Sequence, residues 1–393
     1  MNRGDDPIRT PLRVGYLIDN LNAGGSERQL SELATGMVAR GHSVEIFCYN
    51  TDGKGEFDQY VKDHGVILHR MVGRSKLNKI QGIRQWVKSF QPQILHGFMK
   101  RASSLAVLAN LPRRRFAVIA SDFSTATYAP HKPSLWGALV LFHLADSVVT
   151  QTVMNRNSLC RLAPMLKDKL VVIRNGVEET RFCPMPKTEG EVFRFLCVGT
   201  VSEIKNPVRV VEAVRILSQQ TNQRFILNWV GRCYGYSNGQ PINAYARARQ
   251  LVEEYGLQDL MSFKGLSQSV VEEYRHADAL VHVSVQEGIP NAVVEGMACG
   301  LPIIVSRVSD LPLIAEAGQN GLVCDAFEPE DIARAMKAML EVEVSERYAM
   351  GCRSRKLACE WFGLQRFVTE YEMQYQKNVK AKGKERERDM SCE

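Results

Sequence analysis

From residue 12 the chain alternates short apolar runs with longer stretches of helical period. "LRVGYLI" (12–18) is a short buried run and "DNLNAGG" a polar turn; "SERQLSELATGMVARG" then carries Leu30, Leu33, Ala34, Met37 and Val38 at helical spacing, before a second strand, "HSVEIFCY". Short apolar runs mark strands buried on both faces, and the order strand, helix, strand predicts a βαβ unit in a parallel sheet, with function in the loop after its first strand. Ser26 and Gly41 suit the two ends of that helix. Runs at 66–68, 94–98, 116–120 and 147–149 extend the plan.

A second register opens at "FRFLCVGTVSEIKNP" (193–207), repeating the strand, glycine, loop and helix start. Strands are predicted at 225–230, 261–263, 279–283, 303–305 and 322–324, with helices between them. Residues 174–191, "RNGVEETRFCPMPKTEGE", hold two prolines, acidic charge and little apolar periodicity, so they are expected to be a linker. The expected division is an N-terminal domain over 1–174, a linker over 175–191, a C-terminal domain over 192–362, a helix over 363–376 and a disordered tail over 377–393. Two doubly wound domains would place the ligand in the cleft between them.

Composition narrows the class. At 393 residues, 45% apolar and 24% charged, the chain is that of a soluble two-domain protein. No apolar stretch approaches a membrane span, and "LWGALVLFHLA" (135–145) is better read as a buried helix. The first residues carry two aspartates and two prolines, unlike a secretory leader, so a cytoplasmic location is expected. Ten cysteines stand singly, most of them expected as small buried apolar groups in a reducing compartment rather than as a zinc cluster. The net charge of +7 is concentrated, because Arg70 to Arg115 holds eleven Lys or Arg and no Asp or Glu.

Three stretches carry candidate chemistry. In "NAGGSERQ", Gly24 and Gly25 let the backbone approach a bound group, and the following helix start suits an anion. The same pair also marks an ordinary tight turn, and it is not the G-x-G-x-x-G of a nicotinamide or flavin site. In "QEGIPNAVVEGMACGLPIIVS" (286–306), Pro290 and Asn291 are natural helix starters, so the positive helix end points toward Glu287 and Gly288. A nucleotide-sugar fits: helix N–H groups for its diphosphate, one carboxylate for sugar hydroxyls and the other for the ribose diol. The alternative is that Glu287 caps the helix and Glu295 is a solvated charge. Lys205, in "GTVSEIKNP", follows the first strand of the second domain, where a cation can neutralise a leaving diphosphate.

At these residues the sequence resembles the retaining glycosyltransferases of family 4. Its marks are "GGSERQLSELATGMVARGHSVEIF", "VIRNGVEETRFCP", "VGTVSEIKNP" and "EGIPNAVVEGMACGLPIIVS", from about Leu12 to about Phe367. The resemblance implies an α/β fold of GT-B architecture, two Rossmann-like doubly wound parallel-sheet domains facing across a cleft. It implies transfer of a hexose-type sugar from a UDP- or GDP-sugar to a glycan or lipid-linked acceptor, with no cofactor and no metal. Carried over by position, Gly24 and Gly25 would line the cleft and Lys205 would hold the diphosphate. Glu287 would contact the donor sugar, Gly288, Ile289, Pro290 and Asn291 would offer backbone groups, and Glu295 would bind the ribose.

Two positions depart from the family pattern. Thr200 stands where an arginine is usual, with Arg232 in "WVGRCYG" as a substitute cation, and Ser121 and Asp122 stand near the place of the usual histidine. Asp122 would accept a hydrogen bond from sugar or acceptor, while His96 is read as structural; His131 is also close in sequence. These departures leave open a catalytically impaired relative that only binds nucleotide-sugar; a nucleotide-sugar epimerase is disfavoured. In "SKLNKIQGIRQWVKSF", Leu77, Ile80, Ile83, Val87 and Phe90 form an apolar stripe with Trp86 off it. With the basic region 70–115 this helix would touch an anionic membrane peripherally, or else pack its stripe on the sheet. Nucleic acid is not expected, for aromatics are not interleaved with the basic residues.

Overall fold

The computed structural model describes residues 10–391 apart from 23, 51–52, 72–74, 124–132, 187–189, 235, 238–239 and 242. The first nine residues, His131, Cys392 and part of the expected linker thus lie outside the described residues. The chain forms two compact units, Met1–Gly176 with Leu364–Glu393, and Val177–Gly363.

In the first unit, β1 (Arg13–Ile18), β2 (Ser43–Cys48), β3 (Ile67–Arg70), β4 (Ile94–Gly97), β5 (Ala117–Asp122), β6 (Ser147–Thr150) and β7 (Leu170–Val172) form one sheet, ordered β3-β2-β1-β4-β5-β6-β7. Every pairing is parallel. The connecting helices are α1 (Gly25–Ala39), α2 (Asp58–Asp63), α3 (Lys76–Phe90), α4 (Lys100–Asn110), α5 (Pro133–Leu144) and α6 (Val153–Leu162). The alternation read from the sequence holds, with strand ends moved by a residue or two and the short β7 added. Helix α1 begins at Gly25, one residue before the expected start, and Gly41 leaves it in the left-handed region at φ 85°.

Helix α3 turns its apolar side onto the sheet. Ile83 and Trp86 are buried, whereas Leu77 is 72% exposed. Trp86 therefore belongs to the packed face, a correction to the stripe drawn from periodicity. Gly15 on β1 makes the room: a Cβ there would come within 2.8 Å of the Trp86 ring. The indole N–H donates to Glu45 at 2.6 Å, so its polar edge is met as well.

The second unit is a six-stranded parallel sheet with a short antiparallel pair beside it. Its strands are β8 (Phe193–Val198), β9 (Phe225–Val230), the pair β10 (Tyr236–Ser237) and β11 (Gln240–Pro241), then β12 (Met261–Gly265), β13 (Ala279–His282), β14 (Ile303–Ser306) and β15 (Gly321–Cys324). The sheet order is β12-β9-β8-β13-β14-β15. Helices α7 (Pro207–Gln220), α8 (Asn243–Glu254), α9 (Val270–His276), α10 (Asn291–Ala298), α11 (Leu311–Gly318), α12 (Pro329–Glu341) and α13 (Val344–Phe362) cover it, with one apolar cluster on each face. Part of the expected linker belongs to this unit: Val177 bridges Gly363, and Phe182 is fully buried against Tyr274.

The expected disordered tail is helical. Helix α14 (Leu364–Ser391) continues past Lys377 and is anchored on the first unit by polar side chains. Asn378 accepts from Ser147 at 3.0 Å, and Lys382 meets Asp146 at 3.1 Å. Such anchoring leaves no apolar period, which is why hydropathy missed it. Among the described residues, no helix is long and apolar enough to cross a membrane.

Candidate functional site

In the second unit, the chain goes from β8 outward to β9 on one side and later returns to place β13 on the other. The carboxyl ends of β8 and β13 thus flank a topological switch point, the usual place for a ligand in such sheets. Lys205 lies in the loop after β8, His282 ends β13, and Glu287 follows in the next loop.

The Lys205 loop is held by backbone and by one asparagine. Val285 N–H donates to the Ile204 carbonyl at 2.9 Å, tying the two loops together. Asn206 adopts the left-handed conformation (φ 65°, ψ 39°), which asparagine tolerates better than other side-chain-bearing residues. Its amide donates to Val283 O at 3.1 Å and Ala326 O at 2.6 Å, so one residue links the ends of β8, β13 and β15.

That scaffold brings Lys205 and Glu287 into a direct ion pair, with side chains 22% and 15% exposed. His282 completes the group: its buried Nε2 lies 3.3 Å from the same Glu287 oxygen and 3.1 Å from Ser284 Oγ. A carboxylate only accepts, so Nε2 carries the proton in that contact. Burial pushes the Glu287 carboxyl up, but the Lys205 charge and the His282 hydrogen bond outweigh it and hold it at about 2. Burial and then the Lys205 charge lower His282, which is therefore neutral near pH 7. An ionised acceptor beside a cation at a strand end can hold hydroxyls and a phosphate side by side. His282 was not foreseen from sequence; the available signal was a polar residue ending an otherwise apolar strand, five positions before Glu287.

Helix α10 begins at Asn291 with Pro290 as its N-cap, as expected. Its amino end follows the Glu287–Gly288–Ile289 loop, so the positive end of its dipole adjoins the ion pair. Glu295 lies on its second turn and is 5% exposed, not a solvated charge, and it accepts from Tyr274 at 2.9 Å. Arg232 is exposed just beyond β9, and its carbonyl accepts from Val201 N–H at 2.9 Å, which sets it beside the loop carrying Thr200. The second-unit candidates thus share one sheet edge, with Lys205 and Glu287 in contact and Glu295 engaged with Tyr274.

Gly24 and Gly25 follow β1, at the first unit's own switch point between β1 and β4, and Asp122 ends the neighbouring β5. Gly24 is the extended N-cap of α1, and a Cβ there would fall 2.2 Å from the Glu27 carboxylate. An anion at this helix start would meet Glu27, whose carboxyl is raised mainly by burial. Asp122 is buried at the end of β5 and pairs with Lys100 at 3.4 Å. Between them Met99 has φ 75° and ψ 157°, a conformation nearly confined to glycine, and its sulfur accepts from Ser26 at 3.2 Å. His96 is structural, as expected: fully buried, it bonds Tyr375 at 2.7 Å and Ser121 at 2.6 Å, and burial lowers it to about 3.

Known proteins resemble both halves. Residues 185–357 match the family model for glycosyl transferases group 1, and residues 23–181 that for glycosyltransferase family 4. The chain is 31% identical over 157 residues to the D-inositol 3-phosphate glycosyltransferase of Corynebacterium jeikeium (strain K411), covering 39% of this chain and 36% of that one. It spans about half, or less, of the length of several curated relatives it matches. In fold it is similar to a glycosyltransferase from Rickettsia africae ESF-5, with TM-score 0.81, 18% identity and 94% and 99% of the two chains covered. It is similar also to Anabaena HepE in complex with UDP, with TM-score 0.80, 16% identity and 93% and 100% covered.

Proposed function

The chain belongs to glycosyltransferase family 4, with the two Rossmann-like domains of the GT-B architecture, and from that premise we propose that it transfers a hexose-type sugar from a UDP- or GDP-sugar to a glycan or lipid-linked acceptor. The observation that carries the reading is the Lys205–Glu287–His282 group at the switch point beside the α10 amino end. Lys205 and the helix end meet the diphosphate, Glu287 takes hydroxyls of the donor sugar, and Glu295 exchanges or shares its Tyr274 bond with the ribose diol. Arg232 supplies the cation that Thr200 lacks, and Gly24, Gly25 and Asp122 serve the acceptor side.

Transfer proceeds with retention. The acceptor oxygen attacks on the face the diphosphate leaves, the sugar–phosphate bond breaks, and the diphosphate takes the acceptor proton. Orientation and charge stabilisation are then the protein's share, with no enzymic nucleophile and no metal required. A lipid-linked acceptor would place the protein at an anionic bilayer surface. The lysines and arginines of 70–115, rather than the inward-turned stripe of α3, would make that contact.

The test is a panel of UDP- and GDP-sugars scored by melting temperature and by nucleoside diphosphate release. Binding of one base class is expected, with most of the shift lost in Glu295→Ala; a chain indifferent to every UDP and GDP compound would end the proposal. A second reading, a relative that binds donor without transferring, is favoured by Thr200 and by the Ser121 hydroxyl being held by His96. Sugar transfer to any acceptor in a membrane extract would dismiss it.

A further inference from the structure

The first unit carries a second polar concavity at the opposite ends of its strands. A groove of about 930 Å³ opens where β1, β4 and β5 begin and where α3 and α4 end. Among the described residues, six cations line it, namely Arg13, Arg84, Lys88, Arg113, Arg115 and Lys382, and no Asp or Glu does. They come from β1, α3, the turn after α4 and α14, so the fold gathers them from as far apart as residues 13 and 382. This convergence is more than the charge run visible in the sequence.

The plainer explanation is that these side chains neutralise helix ends. Arg84 does donate to Leu108 O at 3.0 Å and Leu111 O at 2.8 Å, and Arg13 to Gln91 O at 2.8 Å. Two helix carboxyl ends supply only about one unit of negative charge together. Lys382 in addition meets Asp146 at 3.1 Å and Glu385 at 2.9 Å. With Arg115 left out of the count, the lining nevertheless keeps an excess of roughly two positive charges, concentrated in one concavity where the field is focused. The carbonyl bonds also fix the Arg13 and Arg84 guanidinium groups in place, which prepares them for an anion. The wall between the cations is apolar, with Val87, Phe116 and Val379.

We propose that this groove binds a phosphate-bearing anion at a site made wholly of first-unit residues and distinct from the donor residues of the second unit. Arginine forks match phosphate oxygens in pairs, and the apolar wall suits a ligand whose phosphate adjoins a hydrocarbon part. The same chemistry is offered by an anionic phospholipid headgroup and by a soluble phosphorylated molecule. The proposal does not depend on the transferase reading.

The experiment uses the full chain and two probes: sodium pyrophosphate by titration calorimetry, and sedimentation with phosphatidylglycerol-containing vesicles against phosphatidylcholine vesicles. Wild type is compared with Lys88→Glu/Arg113→Glu and with Arg247→Glu/Lys356→Glu, which changes net charge equally at exposed second-unit positions. Binding to at least one probe is expected, weakened at least about tenfold by the groove pair and by added salt, and retained by the control pair. Pyrophosphate binding alone assigns a soluble ligand, and anionic vesicle binding alone assigns a headgroup. Equal weakening in both pairs, or no binding of either probe, overturns the site. Matching far-ultraviolet circular dichroism and a retained cooperative melting transition certify folding of the groove pair, and Lys88→Gln/Arg113→Gln replaces it if it does not fold.

Discussion

Replacing Lys205 by methionine keeps the length of the side chain and deletes its charge, leaving the Glu287 carboxylate in a mostly buried setting beside His282. Burial alone raises that carboxyl, so without Lys205 its pKa should climb from about 2 toward or beyond its ordinary 4.5. A carboxyl lower in the folded than in the unfolded chain stabilises above its unfolded pKa, and that contribution is lost as pH falls through the folded value. The difference between 4.5 and about 2 corresponds to about 3 kcal/mol near pH 7. Lys205 is 22% exposed, and solvent screening brings the expected loss to about 2–3 kcal/mol. The Trp229 indole, which donates to Gly199 O at 2.9 Å below the same loop, gives a local reporter in urea titrations followed by its N–H resonance. Wild type should exceed Lys205→Met by that amount near pH 7, and the gap should close as pH falls from 4.5 toward 2. A gap that does not change with pH, or one below about 0.5 kcal/mol at neutral pH, would place Glu287 and Lys205 in water as an ordinary surface pair and refute the reasoning.

Further outcomes follow from other contacts. His282→Leu should leave nucleoside diphosphate affinity within about threefold while lowering turnover about tenfold, and His282→Gln, which keeps a donor, should recover part of it; equal losses in both variants would make His282 merely a packing residue. Asn206→Ala loses two amide bonds and forces alanine into the left-handed region, for about 2–4 kcal/mol, whereas Asn206→Gly relieves the strain and should cost less. Equal unfolding midpoints for these two variants would refute the strain. Truncation after Lys377 removes the Asn378 and Lys382 anchors and should lower the first unit's melting temperature by about 4–8 °C; an unchanged temperature would mean that this end of α14 is not docked.

The division into two βαβ-based units was legible because parallel strands are buried on both faces, so runs such as 12–18 and 303–305 stand out without alternation. What escaped was carried by exceptions to hydropathy. Trp86 sits off the best apolar stripe and is nevertheless packed, because Gly15 on the facing strand leaves its ring a place. A glycine inside an apolar strand is itself a sign of close approach, and here that sign was available. Helix α14 was expected over 363–376, and its continuation past Lys377 escaped for the opposite reason. Its inward positions include Glu372, Gln374, Asn378 and Lys382, which are buried yet polar because each finds a partner on the first unit.

The candidate site shows the same limit. Loop position and residue type placed Lys205, Glu287 and the α10 start at one sheet edge, since a strand, loop and helix order fixes where each must emerge. Which charges would then touch was not legible, because it depends on how two loops 82 residues apart in sequence are drawn together. Asn206 does so through the Val283 and Ala326 carbonyls, just beyond β13 and β15, which no local pattern specifies. The consequence reaches function. On the proposed reading, a diphosphate would compete with Glu287 for Lys205 or share the pair with it. Because His282 also contacts the carboxylate, Glu287 would then stay in position for sugar hydroxyls while Lys205 turned to phosphate, and the ion pair would become a division of labour.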